Sequence, residues 1–150
     1  MENKKEILLK LHRFLDDISK SGDVWTLENE VGFATTQSTI YADSEGNPVN
    51  KLCFWGNKEE ASQIKEVEWK EYQATSFPLG EFLEQWCVGI ANEGFHVEIN
   101  LDKNFVGYEI HPLELALIVI EKLKEVNASV PLQNYVSLQD FYDQIKSALN

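Results

Sequence analysis

The chain has 150 residues, of which 43% are hydrophobic and 25% are charged, and its net charge is −12 at pH 7. This length suits a single domain, residues 1–150, and the apolar content excludes an intrinsically disordered chain. No apolar run approaches the roughly 18–20 residues that cross a membrane. The N-terminus is mixed in charge and lacks the apolar run of a signal peptide, so we expect a cytoplasmic protein.

The acidity is concentrated in the middle of the chain. The charge balance is +1 over residues 1–22, −11 over residues 23–110 and −2 over residues 111–150. A field of this sign repels the phosphates of nucleic acids and of anionic membranes. It attracts a positively charged surface. We therefore expect the partner to be another protein with a basic surface, and not nucleic acid or membrane. The simpler alternative is that the acidity only keeps the protein soluble.

Residues 4–21 have the pattern of an amphipathic helix. Asn3 and Glu6 have the types and spacing of a capping box, and Gly22 suits the position after a helix. The apolar residues recur on one side at the helical period, at Ile7, Leu8, Leu11, Phe14, Leu15 and Ile18.

Residues 23–37 predict a β-hairpin that carries Trp25. Strand-forming residues dominate both ends of this segment, and a turn-prone stretch at 28–32 lies between them. Gly, Asn and Pro cluster in a loop at 42–48. Residues 49–55 then predict a third strand, and the three strands would form an antiparallel meander.

Helices and a further strand are expected in the centre of the chain. Asn57 can cap a short helix that begins at Lys58, and residues 72–77 predict a strand. Pro78 suits the start of the next helix and Gly94 its end. The apolar stripe of that helix consists of Leu79, Phe82, Leu83, Trp86, Cys87 and Ile90.

The last third of the chain predicts a second hairpin followed by two helices. Residues 95–101 alternate strictly, and residues 106–110 form the return strand. Pro112 starts a helix, and Ser137 caps the last one. The inward positions of the first strand would be Phe95, Val97, Ile99 and Leu101.

These elements predict one α+β domain. A mostly antiparallel sheet, made of the N-terminal meander plus the later hairpin, would pack against about five helices. Residues 1–22 supply the N-terminal helix, residues 23–110 the acidic sheet and helices, and residues 111–150 the C-terminal helices.

The sequence contains no common catalytic or cofactor-binding motif. The eight glycines occur singly, which excludes a glycine-rich phosphate loop, and neither GxSxG nor HExxH occurs. Cys53 and Cys87 lie far apart in apolar stretches, as is typical of buried free thiols. We therefore expect no enzymatic activity and no cofactor.

One alternative is a small metal- or ligand-dependent enzyme that uses His96, Glu98 and His111. His96 and Glu98 would share the outward face of one strand, about 7 Å apart. The returning strand brings His111 near His96 only if the hairpin register allows it. Two imidazoles and a carboxylate suit a divalent ion. Ordinary polar surface positions explain the same residues equally simply.

A second group of candidates combines tryptophans with glutamates. Trp25, Trp55 and Trp69 occur at predicted strand ends or loops, and tryptophan is common at protein interfaces as well as in cores. Glu28 and Glu30 flank the predicted hairpin turn. The candidate binding residues are Trp25, Glu28, Glu30, Trp55, Glu66, Glu68 and Trp69. Core packing is the other interpretation of the three tryptophans, and we assign Trp86 to packing.

The order of these residues resembles a family of small bacterial proteins, domain of unknown function number 2750. In chain order, the pattern consists of W-x-L from Trp25, G-x-A from Gly32, Trp55, Ala61, W-x-x-Y from Trp69, L-x-x-F-L-x-x-W from Leu79, and a later glycine. The resemblance runs from about Phe14 to Lys122, so the last helix lies outside it. Gly56 departs from the pattern, because the family tends to carry proline there. The resemblance implies a bacterial cytoplasmic protein with a compact α+β domain, and it supplies no reaction, ligand or catalytic residue.

The leading hypothesis is a non-enzymatic acidic module that binds another protein. An immunity protein that neutralises a basic toxin is one specific form of it, by analogy with other small acidic bacterial domains. The enzyme described above is one alternative. A regulatory or structural domain whose acidity serves only solubility is the other.

Overall fold

The computed structural model describes residues 4–150, which form the α+β fold expected from the sequence. The described residues contain six strands and five helices. The strands are β1 (Asp23–Glu28), β2 (Thr35–Ala42), β3 (Pro48–Phe54), β4 (Gln73–Pro78), β5 (His96–Ile99) and β6 (Tyr108–Ile110). The helices are α1 (Lys4–Ser21), α2 (Lys58–Lys65), α3 (residues 79–92), α4 (Pro112–Glu125) and α5 (Leu138–Leu149).

Local capping signals place the helix ends where the sequence predicts them. Gly22 follows α1 with a φ of +76°, and its N–H donates to the Ile18 carbonyl at 2.9 Å. The Asn57 side chain accepts the Glu60 N–H at the start of α2, and Ser137 accepts the Asp140 N–H at the start of α5. The predicted cap at Asn3 lies outside the described residues.

The strands form two sheets, and the predicted meander is wrong in its first pairing. β1 pairs along its whole length with β4, antiparallel, as a two-stranded sheet. The other sheet has the order β2-β3-β5-β6, and it is mixed because β3 and β5 run parallel. The turn at 28–32 does close, since the Asn29 N–H donates to the Gly32 carbonyl at 2.9 Å. Beyond the turn, the N–H of the buried Ala34 donates to the Leu27 carbonyl, and the Ala34 carbonyl accepts the Cys53 N–H. The chain therefore passes from one sheet to the other at Ala34.

Two tryptophans join the sheets through their backbones. The Trp25 N–H donates to the Trp55 carbonyl at 2.9 Å, and the Trp55 N–H donates to the Trp25 carbonyl at 2.8 Å. The Thr26 hydroxyl adds a buried bond to the Cys53 carbonyl at 2.8 Å. The two sheets therefore form one continuous framework, although their ladders are separate.

The apolar residues form two clusters on opposite faces of the four-stranded sheet. The larger cluster contains Val97 and Ile99 of β5 and packs them against α1, α3, α4 and α5. The smaller one lies between β1, β3 and α2 and contains Leu101. Leu101 was expected on the same face as Val97, but β5 ends at Ile99. Asn100 takes a φ of +52°, so the alternation stops before Leu101.

Helix α3 is α-helical at both ends and π-helical in its middle, from Phe82 to Cys87. The predicted apolar stripe is nevertheless kept, since Leu79, Phe82, Leu83, Cys87 and Ile90 are all buried. Glu84 is also buried, whereas Trp86 is only partly buried.

The segment between α4 and α5 docks on α3 through Gly80 and Glu84. A Cβ atom at Gly80 would lie 2.4 Å from the Pro131 carbonyl oxygen, so only glycine permits this approach. The Glu84 carboxylate accepts the N–H groups of Gln133 and Asn134 at 2.8 to 3.0 Å. This contact attaches the segment before α5 to α3, while Phe141 and Ile145 pack α5 itself into the larger cluster.

Among the described residues, no helix is both long and apolar enough to span a bilayer.

Candidate functional site

Two of the three candidate tryptophans lie in the core. Trp55 is 0% exposed, and its indole Nε1 donates to the Leu101 carbonyl at 2.9 Å. Trp69 is 7% exposed and packs edge to face against Trp55, with ring centroids 6.1 Å apart. Both residues therefore leave the set of candidate contacts, and the packing interpretation applies to them. Trp25 is partly buried, and the Lys58 ammonium lies 5.9 Å from its ring centroid.

The predicted acidic hairpin turn forms an exposed concave surface. We call it the acidic turn, residues 28–31 together with Glu71 and Gln73, which line one concavity. Val31 is 93% exposed at its tip, and Asn29 Oδ1 accepts the Val31 and Gly32 N–H groups. The Glu28 carboxylate accepts the Thr75 hydroxyl at 3.0 Å, which fixes it at the sheet edge. The turn thus places an apolar side chain among three carboxylates.

Glu66 and Glu68 are exposed in the segment that follows α2. They do not line the acidic turn, which takes Glu71 from the same segment. Their position supports a contribution to the overall field of the protein, and no side-chain hydrogen bond fixes either carboxylate in the part of the chain that the structure describes.

An aromatic groove lies beside the acidic turn, between α3 and the first strands. Its apolar lining is Phe33, Leu52, Trp86, Ile90 and Phe95, and its rim consists of Glu81, Gln85, Gly89 and Glu93. The groove encloses about 530 Å³. The Trp86 ring forms its base and is held by three other rings, those of Phe33, Phe54 and Phe77, at centroid distances of 4.8, 5.8 and 4.4 Å.

Phe33 connects the acidic turn to the aromatic groove. It pairs with Glu28 in an isolated antiparallel bridge, which closes the turn, and its ring lines the groove. The exposed Val31 precedes it by two residues. The two features therefore adjoin at the Glu28–Phe33 pair, and the groove carries Glu81 and Glu93 on its own rim.

A second polar site lies on one face of the four-stranded sheet. Glu98 and Glu109 are directly opposite each other on β5 and β6. The Lys51 ammonium lies 3.3 Å from Glu98 Oε1 and 3.7 Å from Glu109 Oε1. Glu109 also accepts the Ser38 hydroxyl at 3.0 Å, and its Oε2 lies 2.8 Å from His96 Nδ1.

These charged side chains form the floor of what we call the charged cavity, a space of about 470 Å³. Gly107 also lines it, and a Cβ there would lie 3.1 Å from the Glu98 carboxylate and 3.0 Å from the Ile99 carbonyl oxygen. The glycine therefore permits this close packing. The remaining lining residues are Ile7, Thr36, Gln37, Thr39, Ile40, Leu101, Phe105 and Tyr108.

The proposed metal triad does not assemble as a set of ligands. The hairpin register does bring the His96 and His111 rings to 5.9 Å, as the sequence allowed. However, His111 Nδ1 accepts the Leu113 N–H at 3.1 Å and caps α4, while Glu98 pairs with Lys51. Within residues 4–150, no group of three or more His, Cys, Asp or Glu is placed to hold a metal ion. The metal form of the enzyme hypothesis is therefore not supported.

The titration of His111 agrees with its capping role. Burial lowers the pKa of His111 below its ordinary value of 6.5, Glu114 acts in the opposite direction, and His96 adds to the lowering. The neutral ring is the form that can accept the Leu113 N–H at Nδ1.

The two cysteines are unsuited to nucleophilic chemistry. Both are buried free thiols. Burial, reinforced by the nearby Glu98 charge, raises the pKa of Cys53 to about 12, and burial also raises the pKa of Cys87. The thiolate is the reactive form, so both side chains act as apolar core residues.

The sequence analysis did not single out Lys51 and Glu109 as candidates. The alternation of the second hairpin places Glu109 on the same face as His111. The pairing of the two strands then places Glu109 opposite Glu98. Lys51 occupies an alternate position of its strand, but its proximity to Glu98 follows from the parallel pairing of β3 and β5. Trp86 was assigned to packing, and it does pack on the core, but it is only partly buried and also lines the aromatic groove.

The comparisons with known proteins give one match. No curated protein and no solved structure matches the chain. A family model described as "Protein of unknown function (DUF2750)" matches residues 11–118, which include both sheets and helices α2 and α3, and end within α4. The chain therefore belongs to the DUF2750 family of proteins of unknown function.

Proposed function

We propose that this protein is a non-enzymatic module that binds another protein through the aromatic groove and the acidic turn. The observation that carries the proposal is an aromatic-lined groove with carboxylates on its rim, adjoining the acidic turn. In protein interfaces, a few buried aromatic contacts surrounded by polar residues supply most of the binding energy.

The charge of this surface defines the partner. The groove carries Glu81 and Glu93 on its rim, and the acidic turn carries Glu28, Glu30 and Glu71. Among the described residues that line the two features there is no Lys or Arg. A complementary partner is basic, and it presents an apolar side chain that fits between Trp86 and the opposite wall of the groove.

The rest of the acidic section supports the approach of such a partner. Residues 23–110 have a charge balance of −11, to which the exposed Glu66 and Glu68 contribute. Long-range attraction of this kind raises the rate of association, and salt weakens it. Trp25 lies at the junction of the sheets, where its backbone pairs with that of Trp55.

The proposed setting is the bacterial cytoplasm, as the family resemblance implies. An immunity protein that neutralises a basic toxin is the specific form we favour, because a toxin that acts on nucleic acid is commonly basic and an acidic groove would cover such a surface. The absence of familiar catalytic motifs from the sequence is compatible with a function that needs only binding.

The experiment that tests this function is site-specific photo-crosslinking in the source bacterium. A photoreactive amino acid replaces Gln85, which is exposed on the groove rim, and in a matched control it replaces Glu45 in the β2–β3 loop. We expect an adduct with one basic protein from position 85 and none from position 45. The adduct is then reconstituted from purified components. An acidic partner, or equal adducts from both positions, contradicts the proposal.

A further inference from the structure

The outer edge of β4 differs from the other edges of the two sheets. β2 and β6 are the edge strands of the four-stranded sheet, but β2 shifts its register between Gln37 and Ala42, and β6 is only three residues long. Short strands and bulges are features that protect sheet edges from pairing with another chain. β4 has neither, because its six residues pair with β1 in one unbroken register.

The direction of the β4 backbone groups follows from the bonds that β1 makes on its other side. Trp25 exchanges two backbone hydrogen bonds with Trp55, so the N–H and carbonyl of Trp25 point away from β4. Directions alternate along a strand, so β1 turns its even-numbered residues towards the odd-numbered residues of β4. The 2.8 Å bond from the Leu79 N–H to the Gly22 carbonyl continues the same order.

Ala74 and Ser76 therefore turn their N–H and carbonyl groups away from β1. Within residues 4–150, neither of them makes a backbone hydrogen bond to another segment on that side. An extended chain beside β4 would find two donors and two acceptors, spaced two residues apart as in a regular ladder. Pro78 ends this edge, because it has no N–H.

The side chains of β4 leave the edge open to such a strand. Residues 73–78 contain no charged residue, and Ser76 is exposed near the middle of the strand. Lysine on an edge strand is a common protection against pairing, and β4 lacks it. Of the usual protective features, the strand carries only the proline at its end.

The surroundings of the edge select a positively charged partner. Residues 66–81, which contain β4 and its flanks, have four glutamates and one lysine, a balance of −3. Glu71 and Gln73 also line the acidic turn, so the start of β4 is continuous with that surface. A second copy would bring two chains of net charge −12 together, whereas a basic segment would be attracted.

We propose that a basic partner adds a β-strand to the outer edge of β4, through an extended segment that carries lysine or arginine beside its pairing residues. In this mode of recognition, main-chain hydrogen bonds supply the affinity and side chains supply the specificity. The mode rests on the proposed function for the charge of the partner, and it adds the conformation in which the partner binds. Phe77 packs on Trp86 with ring centroids 4.4 Å apart, so β4 also contacts the base of the aromatic groove.

The first experiment uses displayed random peptides of about ten residues, so it does not depend on the natural partner. Peptides are selected on the purified full chain at low ionic strength, and those that also bind the Ser76→Pro variant are removed. Proline takes away the outward N–H at position 76. We expect peptides with a net positive charge to remain, with at least about tenfold weaker binding to Ser76→Pro. If no peptide remains, or if the remaining peptides are not basic, the proposal is overturned.

The second experiment locates the added strand by amide hydrogen exchange of the full chain, with and without a selected peptide. We expect exchange at Ala74 and Ser76 to be fast in the free chain and to slow at least about tenfold with the peptide. Unchanged exchange at both residues overturns the proposal. Slow exchange in the free chain that becomes fast on dilution also overturns it, because a second copy would then occupy the edge.

Two substitutions at the exposed Ser76 form a matched pair that does not alter the backbone. Ser76→Lys should weaken peptide binding at least about threefold, and Ser76→Glu should not weaken it, because only the lysine repels a basic strand. Equal effects of the two overturn the proposed charge of the strand. If neither Ser76→Lys nor Ser76→Pro weakens the protein that is crosslinked at position 85, strand addition is wrong and the proposed function stands. If crosslinking at position 85 fails while the peptide protects Ala74 and Ser76, the groove is wrong and the strand remains.

Discussion

The Phe33 ring meets the Trp86 ring edge to face, with centroids 4.8 Å apart and planes at 89°. Phe33 follows the acidic turn, and Trp86 lies in the π-helical turn of α3. The contact therefore joins two segments that are 53 residues apart in the chain into one surface. π-Helical turns of this kind are frequent at functional sites.

Gly80 should be essential for docking the segment before α5. We expect Gly80→Ala to lower the free energy of unfolding by about 1–3 kcal/mol, because its Cβ would lie 2.4 Å from the Pro131 carbonyl oxygen. Gly89→Ala is the matched control in the same helix. A Cβ at Gly89 meets no atom within 4 Å, so this change should stabilise the helix by about 0.5–1 kcal/mol. Urea unfolding measures both, and a Gly80→Ala variant that is as stable as the wild type or more stable would show that the close approach is unimportant.

Asn100 should be the polar residue whose loss costs most stability. Its side chain accepts the buried Gly56 N–H at 3.0 Å and donates to the Lys10 carbonyl at 3.0 Å. We expect Asn100→Ala to reduce the free energy of unfolding by about 2–3 kcal/mol, because the buried Gly56 N–H loses its partner and the Lys10 carbonyl loses one hydrogen bond. Asn104→Ala, at an exposed position of the following turn, should cost less than about 0.5 kcal/mol. Comparable losses in the two variants would refute this role.

His111 should make part of the stability dependent on pH. Its pKa is lowered by burial below the ordinary 6.5, so its contribution is present above pH 6.5 and is lost as the pH falls through the lower folded value. His111→Asn retains a cap acceptor that does not titrate. We expect urea unfolding between pH 7.5 and about 5 to show a smaller loss of stability in this variant than in the wild type.

The exposed His12 provides the control for that measurement. His12→Asn should leave the pH dependence of the wild type unchanged. If the His111→Asn and wild-type curves run parallel, the lowered pKa does not contribute to folding.

Local signals in the sequence predicted much of the fold. The caps at Asn57 and Ser137 and the glycine after α1 act within a few residues, so the helix ends could be placed. The pairing of β1 with β4 could not, because it depends on segments about 50 residues apart that carry no complementary pattern. The same limit applies to Lys51, whose neighbour Glu98 comes from a parallel strand.

The candidate site was predicted less completely than the fold. Glu28, Glu30 and the turn between them were correctly located, since turn chemistry is local. The sequence could not distinguish the buried Trp55 and Trp69 from exposed aromatic residues, because a residue at a strand end or in a loop is buried only where another element covers it. Here α2 and the two-stranded sheet cover both rings.

The central claim is that the aromatic groove binds a basic partner, and its rim charges provide the test. Glu81→Lys combined with Glu93→Lys changes the net charge from −12 to −8, and so does Glu45→Lys combined with Glu125→Lys outside the groove. Because the two variants carry the same net charge, a difference between them reports the location of the contact and not the overall field.

The decisive measurement is the dissociation constant of each variant for the purified partner that is crosslinked at position 85. We expect the groove variant to bind at least about tenfold more weakly than the wild type, and the control variant to stay within about threefold. Equal weakening in both variants, or none in the groove variant, would contradict the assignment of this groove as the binding surface.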